Sequence, residues 1–311
     1  MPGSAGHGSL MDATTKFDCP ACGSSRTDLT CTVPDYEYGL SSRALYATCG
    51  ECLTTFQAPM PSEAQLTSCY PPTYHAQTNQ GLLHRLRCRL RLRQLLPLPL
   101  REGVAVDYGC GNGGFLRFAA SECPDVRWYG FEVGATRRVT TLMDGRVTLI
   151  EGTVDDLLAQ LPPCRLISMN HVIEHLPDPA SVLSALSRAL LPGGVLIGQT
   201  PAAGSWEHRI FGARWSGYHA PRHTVVFSPR GLRECLSRVG FRQITIAPGF
   251  NPAGLAVSLA SAAAVGATRG IARQGLPWLG WLATGTMLAP LDLLSGRSGI
   301  MNFRAVKPGT P

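Results

Sequence analysis

Lysine is almost missing from these 311 residues: 26 of the 28 basic side chains are arginine, and only 16% of the chain is charged. A chain so poor in charge, with 44% apolar residues, is not a solvated acidic or basic tail. Its 34 glycines and 24 prolines follow no three-residue period, which excludes a collagen-like fibre. The formal charge of +7 is 28 basic minus 21 acidic residues. Because arginine carries nearly all of it, the excess reflects the base composition of a gene as readily as phosphate binding, and it is no argument for a nucleic-acid partner. The opening stretch MPGSAGHGSLMDATTK lacks the basic-then-apolar order of a secretory leader and reads as a disordered tail, residues 1–16. Eleven cysteines, an odd number without such a leader, favour a reducing compartment. The expected location is the cytoplasm, with thiols that bind metal or pack in cores.

The length allows a main domain with small additions. Residues 17–57 are punctuated by cysteine, whereas from Val104 onward short strand-like runs alternate with helix-like ones. This shift divides the chain into 17–60, a linker and basic helix over 61–100, and a domain over 101–311. PPTYHAQTNQ (71–80) has the composition of a linker. In the following LLHRLRCRLRLRQLLPLPLR, helical spacing aligns Leu82, Leu83, Leu86 and Leu90, while a period of two aligns Leu86, Cys88, Leu90 and Leu92. A helix is the better reading because Pro97 and Pro99 would end it before the strand at Val104. Then come VAVDY (104–108) with a helix from about Gly113, WYGFE (128–132) with another helix, VTLIE (147–151), LISMN (166–170) and a helix over 179–190. In that helix Asp178 is placed to cap and Pro179 to occupy the first turn. A second capped helix opens at Ser228-Pro229, strand FRQITI (241–246) follows, and IMNFRAV (300–306) closes the pattern. Alternation of this kind predicts a doubly wound parallel sheet in an α/β domain.

In VAVDYGCGNGG, Asp107 stands at a strand end and Gly109, Gly111, Gly113 and Gly114 fill the turn into a helix, where backbone can approach a ligand closely. Gly109-x-Gly111-x-x-Gly114 also satisfies the dinucleotide fingerprint, with Glu132 about 20 residues on to accept ribose hydroxyls, so an NAD-dependent oxidoreductase is a rival. Asp107 separates the two: a carboxylate there suits a cationic amino group, which S-adenosylmethionine carries, and would repel a pyrophosphate.

Together with NHVIEHLPDP and LLPGGVLIGQTP downstream, the Asp-x-Gly-Cys-Gly-x-Gly pattern resembles class I S-adenosylmethionine-dependent methyltransferases of the ubiquinone-biosynthesis-like type, over about residues 100–245. The resemblance implies a Rossmann-like seven-stranded sheet with an antiparallel last strand. It implies Asp107, Gly109, Gly111 and Gly113 by the methionine end of the cofactor, Glu132 on the ribose, and Gly152–Asp156 by the adenine. Where many relatives carry an acid this chain has Thr153, which moves the adenine contact to Asp155 or the backbone of Val154. Asn170 and His171 then face the reacting methyl. The same loop spells a zinc-peptidase HxxEH through His175, but Pro177 and Pro179 break the helix that reading needs; Glu174 and His175 also read as a pair that caps the loop.

Cys19-x-x-Cys22 and Cys49-x-x-Cys52, separated by 26 residues, have the spacing of two knuckles that close a tetrahedral Zn²⁺ site, structural because no position is left for water. The segment resembles the N-terminal zinc ribbon of a bacterial methyltransferase subgroup. Ribbons also bind RNA, which keeps open an RNA methyltransferase or a non-catalytic nucleotide-binding adaptor. Against nucleic acid, only Arg26 and Arg43 lie between the cysteines, and Asp35 and Glu37 flank the tyrosines there.

SWEHRIFGARWSGYHAPRHTVVFSP is the densest run of Trp, Tyr, His and Arg in the chain and resembles the subgroup's acceptor loop. Trp215 and Tyr218 are candidate substrate contacts. His223 is the first candidate for a general base, with His219 and His175 as alternates. Residues 250–298 form an apolar helical insertion near the C-terminus that reads as a lid over the acceptor or as a hairpin touching a membrane surface peripherally through Trp278, Trp281 and Leu282; Pro277, Pro290 and Asp292 speak against a span. The expected whole is a methyltransferase of a small-molecule substrate, most simply an O-methyltransferase, using S-adenosyl-L-methionine and a structural zinc. Acceptor and oligomeric state are not encoded in any readable motif.

Overall fold

The computed structural model describes residues 16–70, 81–95, 102–134, 136–264, 270, 271, 273 and 275–309. Residues 1–15 of the proposed tail 1–16, the linker 71–80, the helix-ending Pro97 and Pro99, and residues 265–269 of the insertion lie outside the described residues.

Three short strands open the chain: β1 (Thr27–Pro34), β2 (Arg43–Cys49) and β3 (Thr55–Gln57). After α1 (Glu63–Ser68) and α2 (Leu82–Leu95) the order is β4 (Gly103–Tyr108), α3 (Gly114–Glu122), β5 (Val126–Val133), β6 (Arg138–Leu142), β7 (Val147–Gly152), α4 (Val154–Gln160), β8 (Cys164–Asn170), α5 (Pro179–Ala189) and β9 (Leu190–Pro201). The last part runs α6 (Trp206–Phe211), β10 (Val225–Val226), α7 (Pro229–Arg238), β11 (Arg242–Pro248), α8 (Pro252–Ala263), α9 (Gly275–Leu294) and β12 (Ile300–Val306).

The large sheet has the order β11-β12-β9-β8-β4-β5-β7-β6. Neighbours from β9 through β7 run parallel, and β12 is antiparallel to both β9 and β11. Residues Val104–Tyr108 of β4 are all buried, as a central parallel strand with helices on both faces requires. The caps form as read: Asp178 accepts from the Ser181 N–H at 3.1 Å, and Ser228 from the Gly231 N–H at 2.9 Å. Leu183 and Leu186, then Leu232, Cys235 and Leu236, are the buried faces of the two helices.

One element differs in kind. The helix expected after WYGFE is instead β6, antiparallel to β7, so the seven expected strands gain an eighth at the edge. Val139, Thr140 and Thr141 are β-branched and prefer extended backbone, and Met143, Asp144 and Gly145 turn the hairpin with φ of 53°, 55° and 87°. A second difference concerns α2. Cys88 and Leu92 are its buried face, while Leu86 and Leu90, expected to pack, stay about half exposed at 52% and 51%. Arginine and leucine alternate so evenly that the helix has no intrinsic apolar side; the sheet it docks on selects one.

The ribbon and the large domain share packing. β3 pairs antiparallel with β10, so the small sheet runs β1-β2-β3-β10, and Cys19, Cys49, Cys52 and Phe56 belong to one buried cluster with Val225, Phe227 and Leu232. A segment of this size has too little apolar surface for a core of its own.

Between β11 and β12, α8 and α9 form a helical hairpin. Its seam is tight: a Cβ at Gly285 would stand 2.4 Å from the Pro252 carbonyl oxygen. α8 buries Leu255, Ala256 and Val257, whereas Leu276, Leu279, Met287, Leu291 and Leu294 on the outer side of α9 are exposed. No helix among the described residues is long and apolar enough to cross a membrane.

Candidate active site

The glycine turn leaves β4 with Gly109, Gly111 and Gly113 at φ of 79°, 53° and 73°, a region that favours glycine. A Cβ on Gly109 would lie 2.3 Å from Val172, in the loop after β8, while Gly111 faces open space. Glu132, at the end of β5, accepts the Gly111 N–H at 2.7 Å. The turn, the start of α3 and this carboxylate therefore frame one concavity at the carboxyl ends of the strands, where open α/β sheets bind ligands. The next strand end carries Thr153, whose hydroxyl caps α4 by accepting the Asp156 N–H at 3.2 Å. This leaves Asp155 exposed and Val154 half-buried beside it.

Asp107 does not face that concavity as an open carboxylate. It is fully buried, and its Oδ1 accepts from Arg91 of α2 and from the Ser168 hydroxyl, the latter at 2.7 Å. A guanidinium of the same chain thus pairs one oxygen of the carboxylate that the sequence suggested for a ligand's amino group, while Oδ2 is buried with no hydrogen-bond partner among the described residues. Burial raises the Asp107 carboxyl above the ordinary range, partly countered by Arg91. Arg91, which also lies 4.0 Å over the Phe115 ring, gave no sign of this role in the sequence because it is one of several equivalent arginines.

The four ribbon sulfurs lie within 4.8 Å of one another, with Cys19–Cys52 at 3.6 Å and Cys22–Cys49 at 3.5 Å. Zinc bonded to thiolates at about 2.3 Å sets sulfur pairs roughly 3.8 Å apart, so the cluster fits that ion. The hydrogen bond from Cys19 pulls the Cys52 thiol down to about 5, the same bond raises Cys19, and burial pushes Cys22 up to about 11.

A cleft of about 480 Å³ lies on the loop after β8, whose Val172 packs on Gly109 of the turn and whose His171 lines the cleft. Its walls come from the ribbon (Glu37), the loop after β8 (His171, His175), the loop before β10 (His219, His223) and the helical hairpin (Trp278). His171, in the left-handed region at φ 55°, hydrogen-bonds through Nε2 to Gln199 at 3.2 Å and keeps 47% of its side chain exposed. His223 is buried and its Nδ1 donates to the Gly217 carbonyl at 2.8 Å, which leaves Nε2 as a lone pair 3.8 Å from Glu174 Oε1. Burial and the neighbouring imidazoles hold the His223 pKa well below its ordinary value, so the ring is neutral. His175 is arranged alike: Nδ1 donates to the Arg222 carbonyl at 3.1 Å, and burial takes the ring down to about 4. His219 differs, with Nδ1 on Glu37 at 2.5 Å and Nε2 accepting from Arg222 Nε at 3.0 Å. Both of its nitrogens are occupied.

Glu174 is more than a loop cap. It is fully buried; Thr200 donates to Oε2 at 2.9 Å, and Oε1 lies 3.4 Å from His171 Nδ1 and 3.8 Å from His223 Nε2. Burial pushes its carboxyl up, but the hydrogen bond and charge of His171 and the charge of His175 outweigh that and keep it low. With His175 and His223 it places three ligand-type atoms within 4.8 Å, a donor set of the kind divalent ions use.

Trp215 lines the cleft with its ring stacked 4.7 Å from His208, whereas Tyr218 is absent from the cleft wall. Tyr218 packs beneath it, 3% exposed, against Tyr46 and with its hydroxyl 2.8 Å from His208. No motif in the sequence hinted at Glu207, a buried cleft residue raised to about 8 by burial and then by Asp292 of α9. Nor did it hint at the Asp35–Arg222 pair, whose side chains are wholly buried. Their partners lie too far along the chain for any spacing rule.

A family model described as a methyltransferase domain matches residues 80–246. Trans-aconitate 2-methyltransferase of Azoarcus sp. (strain BH72) is 34% identical over 146 residues, covering 41% of this chain and 56% of that protein. Ubiquinone biosynthesis O-methyltransferase of Yersinia pestis (strain Pestoides F) is 29% identical over 150 residues, covering 46% of this chain and 62% of that protein. The chain thus spans somewhat over half the length of the curated relatives it matches. A solved S-adenosylmethionine-dependent methyltransferase of Archaeoglobus fulgidus aligns with a TM-score of 0.46 at 17% identity, covering 72% of this chain and 94% of that one. The family match takes in the glycine turn, Glu132 and the histidine loops, extends over more than half of the residues, and shows that the chain belongs to the methyltransferase-domain family.

Proposed function

We propose that the protein transfers a methyl group from S-adenosylmethionine to an oxygen of a small molecule held in the cleft, with His223 as the general base. The observation that carries this reading is the adjacency of two preformed parts: a glycine turn faced by Glu132, and a cleft floored by neutral imidazoles. S-adenosylmethionine supplies an electrophilic sulfonium methyl, and displacement at that carbon needs an aligned, deprotonated nucleophile. Glu132 holds the donor against the side-chain-free backbone of the glycine turn; Asn170, His171 and Val154 border it.

The chain's own chemistry is proton transfer. His223 Nε2 takes the acceptor's proton, and Glu174 Oε1, 3.8 Å away, faces the imidazolium that results. His219 is removed from the list of bases because Glu37 and Arg222 occupy both its nitrogens. One relative is named an O-methyltransferase, in agreement with this reading. We assign the four cysteines to a structural zinc and α8–α9 to the cleft's outer wall, where Trp278 faces inward.

Calorimetry with S-adenosylhomocysteine and with NAD tests the reading. Binding of S-adenosylhomocysteine at about micromolar affinity or tighter, with no response to NAD, is expected. Preference for NAD would overturn it.

A further inference from the structure

We propose that the cysteine ribbon is the positioning scaffold of the histidine cluster, so that metal held by Cys19, Cys22, Cys49 and Cys52 sets the geometry of the base without touching the donor site. The inference rests on the reading above only in taking His223 as that base.

Each of the three histidines is tied to the ribbon, His219 through its ring, His223 through its backbone carbonyl and His175 through Arg222. The His223 carbonyl accepts from the Tyr46 hydroxyl at 2.8 Å and from Gln57 Nε2 at 2.9 Å, and the same Gln57 nitrogen reaches the Pro221 carbonyl at 2.7 Å. The next residue is tied as well, because the Gln57 N–H donates to the Thr224 carbonyl at 2.8 Å. His175 leans on the Arg222 carbonyl, and Arg222 is fixed by a bidentate pair with Asp35 at 2.9 Å on each arm. His219 is held by Glu37. The rings are consequently packed 4.6 Å (His175–His223) and 4.9 Å (His219–His223) apart.

The metal site reaches these contacts through strand register. Cys49 ends β2 and Cys52 lies in the turn into β3; the Cys49 N–H donates to the Thr54 carbonyl at 2.9 Å across that turn. The two strands it joins set Tyr46 directly opposite Gln57. Closing four thiolates on one ion therefore fixes the register that brings both donors to one carbonyl. The glycine turn depends on other contacts: the Gly109 and Cys110 N–H groups donate to Phe131, and Gly111 to Glu132. Tyr46, Gln57 and Asp35 are 0%, 5% and 3% exposed, so the ribbon spends its polar side chains inward rather than on a nucleic acid. Removing one such contact loosens a ring without adding or deleting a reacting group, which makes these positioning residues.

The test is ring-nitrogen NMR of the zinc-loaded, full-length protein at pH 7, comparing wild type with the near-isosteric Tyr46→Phe/Gln57→Met variant. In wild type the His223 ring is expected as the Nδ1–H tautomer. In the variant that population should fall as the ring averages over positions and the hydrogen bond to Gly217 that selects the tautomer loosens. Zinc content and S-adenosylhomocysteine affinity should stay within about twofold. If the double variant fails to fold, Tyr46→Phe alone removes one hydroxyl and should give a smaller shift of the same His223 signals. His223 signals identical to wild type in a folded variant overturn the proposal, as does an equal loss of S-adenosylhomocysteine affinity, which would mean general loosening. If His223 responds while His223→Ala keeps its turnover, the scaffold stands and the assignment of the base falls.

Discussion

Neutralising Asp35 should be among the most damaging single changes outside the donor site, because it strands a cation with nowhere to go. Arg222 spends all five of its donors inside the protein. Nη1 reaches Asp35 at 2.9 Å and the Cys69 carbonyl at 3.0 Å, Nη2 reaches Asp35 at 2.9 Å and the Ala220 carbonyl at 3.1 Å, and Nε reaches His219 at 3.0 Å. Asp35 in turn accepts the Tyr38 N–H at 2.9 Å and the Glu37 N–H at 3.1 Å. Asp35→Asn keeps the shape but leaves a buried guanidinium without its counter-charge, a loss of about 3 to 5 kcal/mol. At about 2 °C per kcal/mol for a chain of this size, the melting temperature at pH 7 should fall by roughly 6 to 10 °C. The deficit should persist in high salt, since ions do not screen a buried pair as they do surface charges. Asp35→Leu combined with Arg222→Met removes both charges and should cost less than the sum of its single changes. Scanning calorimetry decides: a shift under about 2 °C for Asp35→Asn, or strict additivity in the double variant, would refute the account of a buried, mutually dependent pair.

Metal analysis of protein purified without added zinc should find about one equivalent, and Cys22→Ser should lose it; unchanged stoichiometry would remove the ribbon site. Glu132→Ala should weaken S-adenosylhomocysteine by about tenfold or more in calorimetry, the loss of a charged acceptor being worth about 1.5 to 3 kcal/mol. His223→Ala should lower turnover by about 10² to 10⁴ with donor affinity unchanged, as measured by product formation under saturating donor. Acid should destabilise the fold through His175: its folded pKa of about 4 lies below the ordinary 6.5, so the unfolded chain takes up the proton first. The stability it contributes, about 3 kcal/mol, is present above pH 6.5 and lost as pH falls toward 4, and His175→Gln should flatten that part of the melting curve.

Much of the architecture was legible because its causes are local. A buried valine run marks β4, Asp178-Pro179 and Ser228-Pro229 start their helices with their own side chains, and each Cys-x-x-Cys knuckle sets its two sulfurs within a few residues. The glycine turn likewise states its positive φ values in its composition. The edge strand β6 was missed because the helix–strand alternation outweighed a β-branched run and an Asp-Gly turn that were there to be read. What the sequence by itself determined is therefore the set of elements that owe their form to neighbours along the chain, and the residue types available for chemistry. Only the tertiary structure decided which of those residues meet. Arg91 reaches Asp107 from a helix whose arginines look alike, Asp35 finds Arg222 across 187 positions, and Gln57 clamps His223 across 166. No period or spacing marks such pairs, because they are selected by the docking of α2 on the large sheet and by the pairing of β3 with β10, and not by the order of the chain.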